Sequence, residues 1–435
     1  MRGWLLRWFP FATRAGRAFG ERFTPLGKWL LATAAIAGIF SADPTRTHAF
    51  LLFGATSALL VVALLGSLAW RPRVRARRAL PASATQGRAT IYAVELQHGG
   101  RRELGACRLA DRLRLRYPTR AEFAAEIHDA PEDNWFDRRV GFLRWQRLRQ
   151  RLQGATLATA DVPALPPQAS TRIALEITPL RRGWLTFDAV RLLQAEPLGL
   201  CYAVTTLPLV DRLLSRPAVI PMPAFTLPQP RARRRAQGQA RRRGDGLEFF
   251  ALRDYRPGDP PKHIDWRSSA RRGQPIVRQF AAETRLTPRV LVDTAAARRA
   301  QGDFEHLVSV AASLFVAAHA GGPVSLHLLG SDRPPSTMPS DALGTLALLT
   351  AAQEDTLPAW REALAAADGL PLILVCARWD EARAACVEAA LKTSALLVLC
   401  TDPIAVDAPG VVTITAPAAQ LPLLAWPMPA QVRAS

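Results

Sequence analysis

The chain has 435 residues, 49% of them hydrophobic, and a formal net charge of +20. That length accommodates two or three domains, and the hydrophobic fraction excludes global disorder. Only Lys28, Lys262 and Lys392 among the 56 basic residues are lysine; the arginine bias suggests GC-rich coding, and without aromatic platforms or a recognisable module it does not argue for specific nucleic-acid binding.

Residues 1–25 form a basic amphipathic segment. They lack the continuous apolar core and small-residue cleavage site of a signal peptide. Trp4, Leu5, Trp8, Phe9 and Phe11 among arginines suit a short helix lying on a membrane surface, with a disordered tail as the alternative. Residues 49–70 then run 22 positions without a charge, enough to cross a bilayer core that needs about 20 apolar residues. The shorter apolar run 26–42 carries Lys28 near its start, where the side chain can snorkel. A transmembrane hairpin over 26–70 is expected. Arg2, Arg7, Arg14, Arg17 and Arg22 precede it and Arg71, Arg73, Arg75, Arg77 and Arg78 follow it, so both termini are expected in the cytoplasm. The second arginine cluster is expected to attract anionic headgroups.

Residues 71–230 show short alternating stretches at 88–98, 112–118, 171–180 and 183–194, punctuated by Pro and Gly. Such alternation predicts half-buried strands and an antiparallel β-sandwich-like middle domain. Residues 138–153 break the pattern, as a basic amphipathic helix facing the membrane or as a solvated insertion. An Arg-rich stretch at 231–245 lacks apolar periodicity and reads as a flexible linker. From 286 to 416, apolar strands at 288–294, 323–330, 370–377 and 394–401 alternate with helices at 304–320, near 342–353 and 357–367, and at 380–393. That pattern predicts an α/β domain with a parallel sheet covered on both faces. Ligands of such sheets sit at the carboxyl ends of strands, which directs attention to Asp293. Residues 417–435 are a tail.

Cys107, Cys201, Cys376, Cys386 and Cys400 are scattered, with no C-x-x-C spacing and no histidine cluster beside them. They suggest neither a disulfide framework nor zinc, and are expected as free thiols in a reducing compartment.

Between linker and α/β domain, residues 246–259 read G-L-E-F-F-A-L-R-D-Y-R-P-G-D and residues 263–271 read H-I-D-W-R-S-S-A-R. With R-G-W at 182–184 and E-P-L-G-L at 196–200, this resembles the bacterial domain-of-unknown-function family 58, whose members carry G-x-E-F, R-x-Y-x-x-G-D and I-D-W-x-x-S-A-R; Glu196 stands where the family has Asp. The resemblance runs from about 50 to 400. It implies a membrane hairpin in the bacterial inner (cytoplasmic) membrane, a β-rich middle, a von Willebrand factor A-like C-terminal domain and a MoxR-type AAA+ ATPase as partner. It also implies a family signature segment at 246–285, carried by Gly246, Glu248, Phe249, Arg253, Tyr255, Gly258, Asp259, Ile264, Asp265, Trp266, Ser269, Ala270 and Arg271. Arg–carboxylate pairs can lock such a segment, and Tyr255 and Trp266 are anchors of the kind enriched at interfaces; docking the linker onto the sheet is the purely structural alternative. Metal-binding von Willebrand A domains carry D-x-S-x-S after the first strand. Here Asp293 persists while Ala295 and Ala297 replace both serines, and Arg378 follows the strand at 370–377 where an acid would sit. Asp293 is thus expected as the remnant of a degenerate metal site, with no metal and no cofactor.

The expected function is a membrane-tethered, non-catalytic adaptor that binds a MoxR-type ATPase and a client protein. A hydrolase built on His263, Asp265 and Ser268 is one alternative, although no G-x-S-x-G elbow is present. Binding of polyanions or anionic lipid by the Arg-rich linker is another.

Overall fold

A computed structural model describes residues 2–40, 47–70, 72–114, 116–125, 141–222, 243–256, 259, 261–281, 287–295, 301–352, 354–367, 370–392, 396–401, 411–414 and 420. The chain has mixed α/β content and divides into two compact units, Met1–Pro217 and Ala218–Ser435. Most of the Arg-rich linker, residues 231–242, lies outside the described residues.

The first unit opens with three helices, α1 (Arg2–Arg22), α2 (Pro25–Phe40) and α3 (Thr47–Ala69). One of them, over His48–Ala69, is long and apolar enough to cross a membrane; α2 is apolar but only 16 residues long. The two pack together, with Gly38 of α2 against the Phe53 ring. Pro25 occupies the first position of α2, where its missing N–H costs nothing, and Thr24 caps the helix by accepting the Gly27 N–H at 3.0 Å.

The strands β1 (Val74–Ala79), β2 (Ala84–Thr85), β3 (Thr90–His98), β4 (Cys107–Leu113), β5 (Ala155–Leu157), β6 (Thr159–Val162), β7 (Ser170–Pro179), β8 (Gly183–Ala195) and β9 (Tyr202–Arg216) follow. Helices α4 (Arg120–Ala125) and α5 (Phe142–Leu152) lie between β4 and β5. One sheet has the order β1-β3-β7-β5, the other β2-β9-β8-β4-β6. All pairs are antiparallel except β2 with β9. The alternating side chains of both sheets meet in one apolar core that includes Val94, Leu96, Leu109, Ile177, Phe187 and Leu192. Within the basic stretch at 138–153, residues 142–152 form helix α5, and its Trp145 and Phe142 rings pack on Phe9 of α1 at 5.7 and 5.4 Å.

Among the strands that differ from expectation, β4, β9 and β1 show why. β4 ends at Leu113, short of the stretch anticipated at 112–118; its alternation is hidden in the sequence because Asp111 points inward. β9 was not anticipated because Pro208 interrupts it. That residue sits opposite Ala189, beside a register shift between Phe187 and Ala189, where a missing N–H disturbs the ladder least. The arginine cluster after Trp70 runs into β1: Arg73 just before the strand and Arg75 and Arg77 within it are exposed, but Arg78 is buried. From β1 the Arg78 guanidinium reaches the opposite sheet. It holds Asp111 of β4 bidentately at 2.8 and 2.8 Å, pairs with Asp211 of β9, and lies 4.4 Å from the centre of the Phe187 ring.

In the second unit, β10 (Arg243–Asp254) and β11 (Ile276–Ala281) form an antiparallel pair, with α6 (Trp266–Arg272) between them in sequence. β12 (Arg289–Asp293), β13 (Ser325–Leu329), β14 (Leu372–Cys376), β15 (Leu396–Cys400) and β16 (Val411–Thr413) make an all-parallel sheet ordered β13-β12-β14-β15-β16. It alternates with α7 (Gln301–Ala320), α8 (Pro339–Ala347), α9 (Leu357–Ala365) and α10 (Glu381–Leu391). Both sheet faces are covered, which explains the uninterrupted apolar strands. Val290, Val292, Ile373 and Val375 pack with Leu307, Ala311, Phe315 and Leu346 on one side. Leu291, Leu372, Leu374 and Cys376 pack with Trp360, Val387 and Ala390 on the other.

Candidate functional site

In the signature segment Arg253, Asp259, Asp265 and Ser269 make internal bonds, while Tyr255 and Trp266 are exposed. Arg253, near the end of β10, grips the Asp259 carboxylate with both terminal nitrogens, at 2.6 and 2.5 Å. Asp259 also accepts the Arg256 N–H at 2.9 Å, so one carboxylate closes the turn. Held first by the Arg253 side chain and then by the Arg256 N–H, its pKa falls to about 2. Asp265 caps α6 by accepting the Ser268 N–H at 3.0 Å and pairs with Arg278 at 3.0 Å. The Ser268 N–H is the main cause of its lowered pKa. Ser269 is buried: its hydroxyl donates to the Asp265 carbonyl at 2.8 Å and accepts the Ile276 N–H at 2.9 Å, tying α6 to β11. Ile264 bridges to Val277. Gly273 ends α6 in the left-handed region, at a φ of 73°.

Trp266, at the first position of α6, is 69% exposed, and Tyr255 is 37% exposed. Ala270 and Arg271 are also exposed. Gly246, Glu248 and Phe249 lie in β10, with Phe249 opposite Phe280; Gly258 lies outside the described residues. Both oxygens of Asp265 are engaged, one by the Ser268 N–H and one by Arg278.

Upstream, Glu196 organises a second loop. Its carboxylate accepts the N–H groups of Leu198, Leu200 and Cys201 at 2.5, 2.7 and 3.2 Å, closing a loop whose Gly199 has a φ of 71°. That loop docks on the start of α2. The Thr24 N–H donates to the Leu200 carbonyl at 3.1 Å, and the Thr24 hydroxyl to the Gly199 carbonyl at 2.6 Å. Gly27 is required there, because a Cβ would fall 2.0 Å from the Leu200 carbonyl oxygen.

The second locality is the carboxyl end of the parallel sheet. Asp293 terminates β12 and is fully buried. Its Oδ1 accepts the Thr356 hydroxyl at 2.6 Å and the Ala295 N–H at 3.0 Å. Arg383, one turn into α10, is 1% exposed and converges on the same point. Its Nε lies 3.4 Å from Asp293 Oδ2, Nη1 2.6 Å from Asp380 Oδ2, and Nη2 2.9 Å from Thr356 Oγ1 and 3.3 Å from Asp355 Oδ1. The guanidinium carbon sits 5.4 Å from the Trp360 ring centre. Asp380 caps α10 through the Arg383 N–H at 3.0 Å. Burial pushes the Asp380 carboxyl up, but the Arg383 N–H and charge outweigh it and its pKa lies below the ordinary value. Burial likewise opposes the Arg383 charge, and the surrounding carboxylates more than offset it.

The profile of the family described as "Protein of unknown function DUF58" matches residues 251–356. These residues belong to the DUF58 family. No curated protein matches the chain. Among solved structures, the "ASH / PapD-like domain of human CEP192 (PapD-like domain 7)" is similar at 11% identity and a TM-score of 0.19, over 33% of this chain and 85% of that one. A likeness that slight carries no argument.

The DUF58 match contains the signature residues from Arg253 onward and Asp293, Asp355 and Thr356, while Asp380 and Arg383 follow it. Arg378 does not take the place of an acid after β14: Asp380 supplies a carboxylate two residues later, and Thr356 supplies a hydroxyl. Oxygen donors of the type that suit a hard divalent ion are therefore present. They do not fit one, because the Arg383 guanidinium stands among them at hydrogen-bonding and ion-pair distance. Sequence reasoning missed Arg383, although a signal existed. Arg383, Val387 and Ala390 fall on one face of α10 and all are buried, so a lone arginine shares the apolar stripe.

Proposed function

We propose that this chain is a membrane-tethered, non-catalytic adaptor whose DUF58 segment binds a protein partner through Trp266 and Tyr255. The carrying observation is the division of labour in the signature segment. Arg253, Asp259, Asp265 and Ser269 are spent on internal bonds, and the largest aromatic side chain of the segment is left 69% exposed on a capped, pinned helix. An exposed tryptophan on a rigid support resembles the anchor of an interaction hot spot. The partner proposed is a MoxR-type AAA+ ATPase acting on a client complex, as the resemblance implies.

In this reading α2 and α3 form a two-helix hairpin in the bacterial inner membrane with both termini in the cytoplasm, and the parallel-sheet domain is von Willebrand factor A-like. The arginines flanking the helices support the orientation. The contact between α2 and α3 supports the hairpin.

The test is a pull-down from mild detergent comparing the wild-type chain with Trp266→Ala and Asp259→Ala. Trp266→Ala should lose a specific AAA+ ATPase with its melting temperature unchanged, while Asp259→Ala should lower thermal stability as well. Full retention of the ATPase by a folded Trp266→Ala chain would sink the reading.

A further inference from the structure

We infer that Arg383 is a built-in cation, holding among Asp293, Thr356 and Asp380 the position that a divalent ion would hold and thereby sealing the ligand crevice of the parallel sheet. This inference is independent of the adaptor reading and of the Trp266 surface.

The sheet order fixes where the crevice lies. From β12 the chain passes to β13 on one side, and from β14 it passes to β15 on the other. The carboxyl ends of adjacent strands whose connections leave in opposite directions are where open α/β sheets bind ligands. Asp293 stands at the end of β12, and Asp380 follows β14 by four residues. Thr356 joins them from the loop that begins α9. Three chain segments thus deliver oxygen atoms to one point, and the group at that point is the Arg383 guanidinium.

Its contacts are those of a counter-ion as much as of a hydrogen-bond donor. Among the described residues, the buried Asp293 Oδ2 has no hydrogen-bond partner and neither has Arg383 Nε; the two face each other at 3.4 Å as an ion pair. Charge therefore satisfies Asp293 Oδ2 where directed hydrogen bonding does not. A fully buried carboxylate needs a compensating cation, and removing that cation leaves an uncompensated charge. A guanidinium tethered to α10 supplies it permanently, with no dependence on free metal. If Arg383 merely pinned α10 to the sheet, its removal would let Asp293, Thr356 and Asp380 move apart, and no cation would bind at the vacated point.

Arg383→Ala in the intact, detergent-solubilised chain separates the two cases. The vacated oxygens should bind Mn²⁺ with an affinity on the order of 0.1–1 mM, the weak end for oxygen sites with few carboxylates. Titration followed by electron paramagnetic resonance should show about tenfold tighter Mn²⁺ binding than in the wild type, where Arg383 excludes the ion. Asp293→Asn added to Arg383→Ala should abolish that gain. If Arg383→Ala melts early, millimolar Mn²⁺ should raise its melting temperature and leave the wild type unmoved. A folded Arg383→Ala chain that binds Mn²⁺ no better than wild type overturns the inference. So does an unstable one that Mn²⁺ fails to stabilise.

Discussion

Replacing Arg78 by Met removes a guanidinium that joins the two sheets of the first unit, and the structure sets the size of the loss. Arg78 and Asp111 both have fully buried side chains, whereas Asp211 is 35% exposed. Without Arg78, Asp211 can rehydrate and Asp111 cannot. Asp111 keeps the Tyr92 hydroxyl at 2.8 Å, and burial together with the Asp111 charge pushes the Tyr92 pKa up, so that hydroxyl stays a donor. Asp111 also keeps the Arg112 N–H at 2.8 Å, but two neutral donors do not replace a bidentate cation. Breaking a buried pair from one side costs about 3–5 kcal/mol. At roughly 2–4 °C per kcal/mol for a unit of this size, the melting transition of the first unit should fall by about 6–20 °C. Met fills much of the vacated volume, so the loss reports charge rather than a cavity. Adding Asp111→Asn should recover part of it, because the orphaned carboxylate is then neutral. The assay is thermal unfolding of the intact chain in detergent, followed by near-ultraviolet circular dichroism. A fall under about 1 kcal/mol for Arg78→Met, or a double variant less stable than the single one, would refute the reasoning.

Gly27→Ala should break the junction between α2 and the 196–201 loop, since the added Cβ and the Leu200 carbonyl oxygen cannot coexist at 2.0 Å. Faster hydrogen exchange at the Thr24 amide, with a loss of about 1–3 kcal/mol typical of overpacking, is expected; unchanged exchange would contradict it. The Arg253–Asp259 clamp has a defined acid limit. The folded pKa of about 2 lies below the ordinary 3.8, so its contribution is complete above about pH 4 and is lost as pH falls through 2. Carboxyl-carbon resonance measurements should find Asp259 ionised at pH 3, and a midpoint near 4 would show that the clamp does not form.

The second unit was the more legible in the sequence, and the reason is solvent. Each central strand of the parallel sheet is buried on both faces, so Val290–Val292 and Leu372–Cys376 stand out as apolar runs between helices. The first unit mixes signals. β1 is rich in arginine, yet one of those arginines is a core residue, and no local pattern distinguishes Arg78 from its exposed neighbours Arg75 and Arg77. β9 carries a proline that is tolerated only because its partner strand shifts register opposite it. The same blindness affected the candidate site. Asp293 was found because it ends a strand, but Arg383, Asp355 and Thr356 meet it from elsewhere in the chain. The signature residues were found as a motif, whereas their division into internal fasteners and an exposed aromatic depends on which groups their backbones bring within reach.

The junction at Thr24 and Gly27 also has a mechanical meaning. A helix joined to a domain by a slack tether can tilt or slide without informing the domain. Here the first turn of α2 is stitched to the loop joining β8 and β9 by hydrogen bonds at 2.6 and 3.1 Å, with backbone against backbone at Gly27. Torque on α2 therefore reaches the longest strand pair of the first unit directly, and a pull on that pair is felt at the helix.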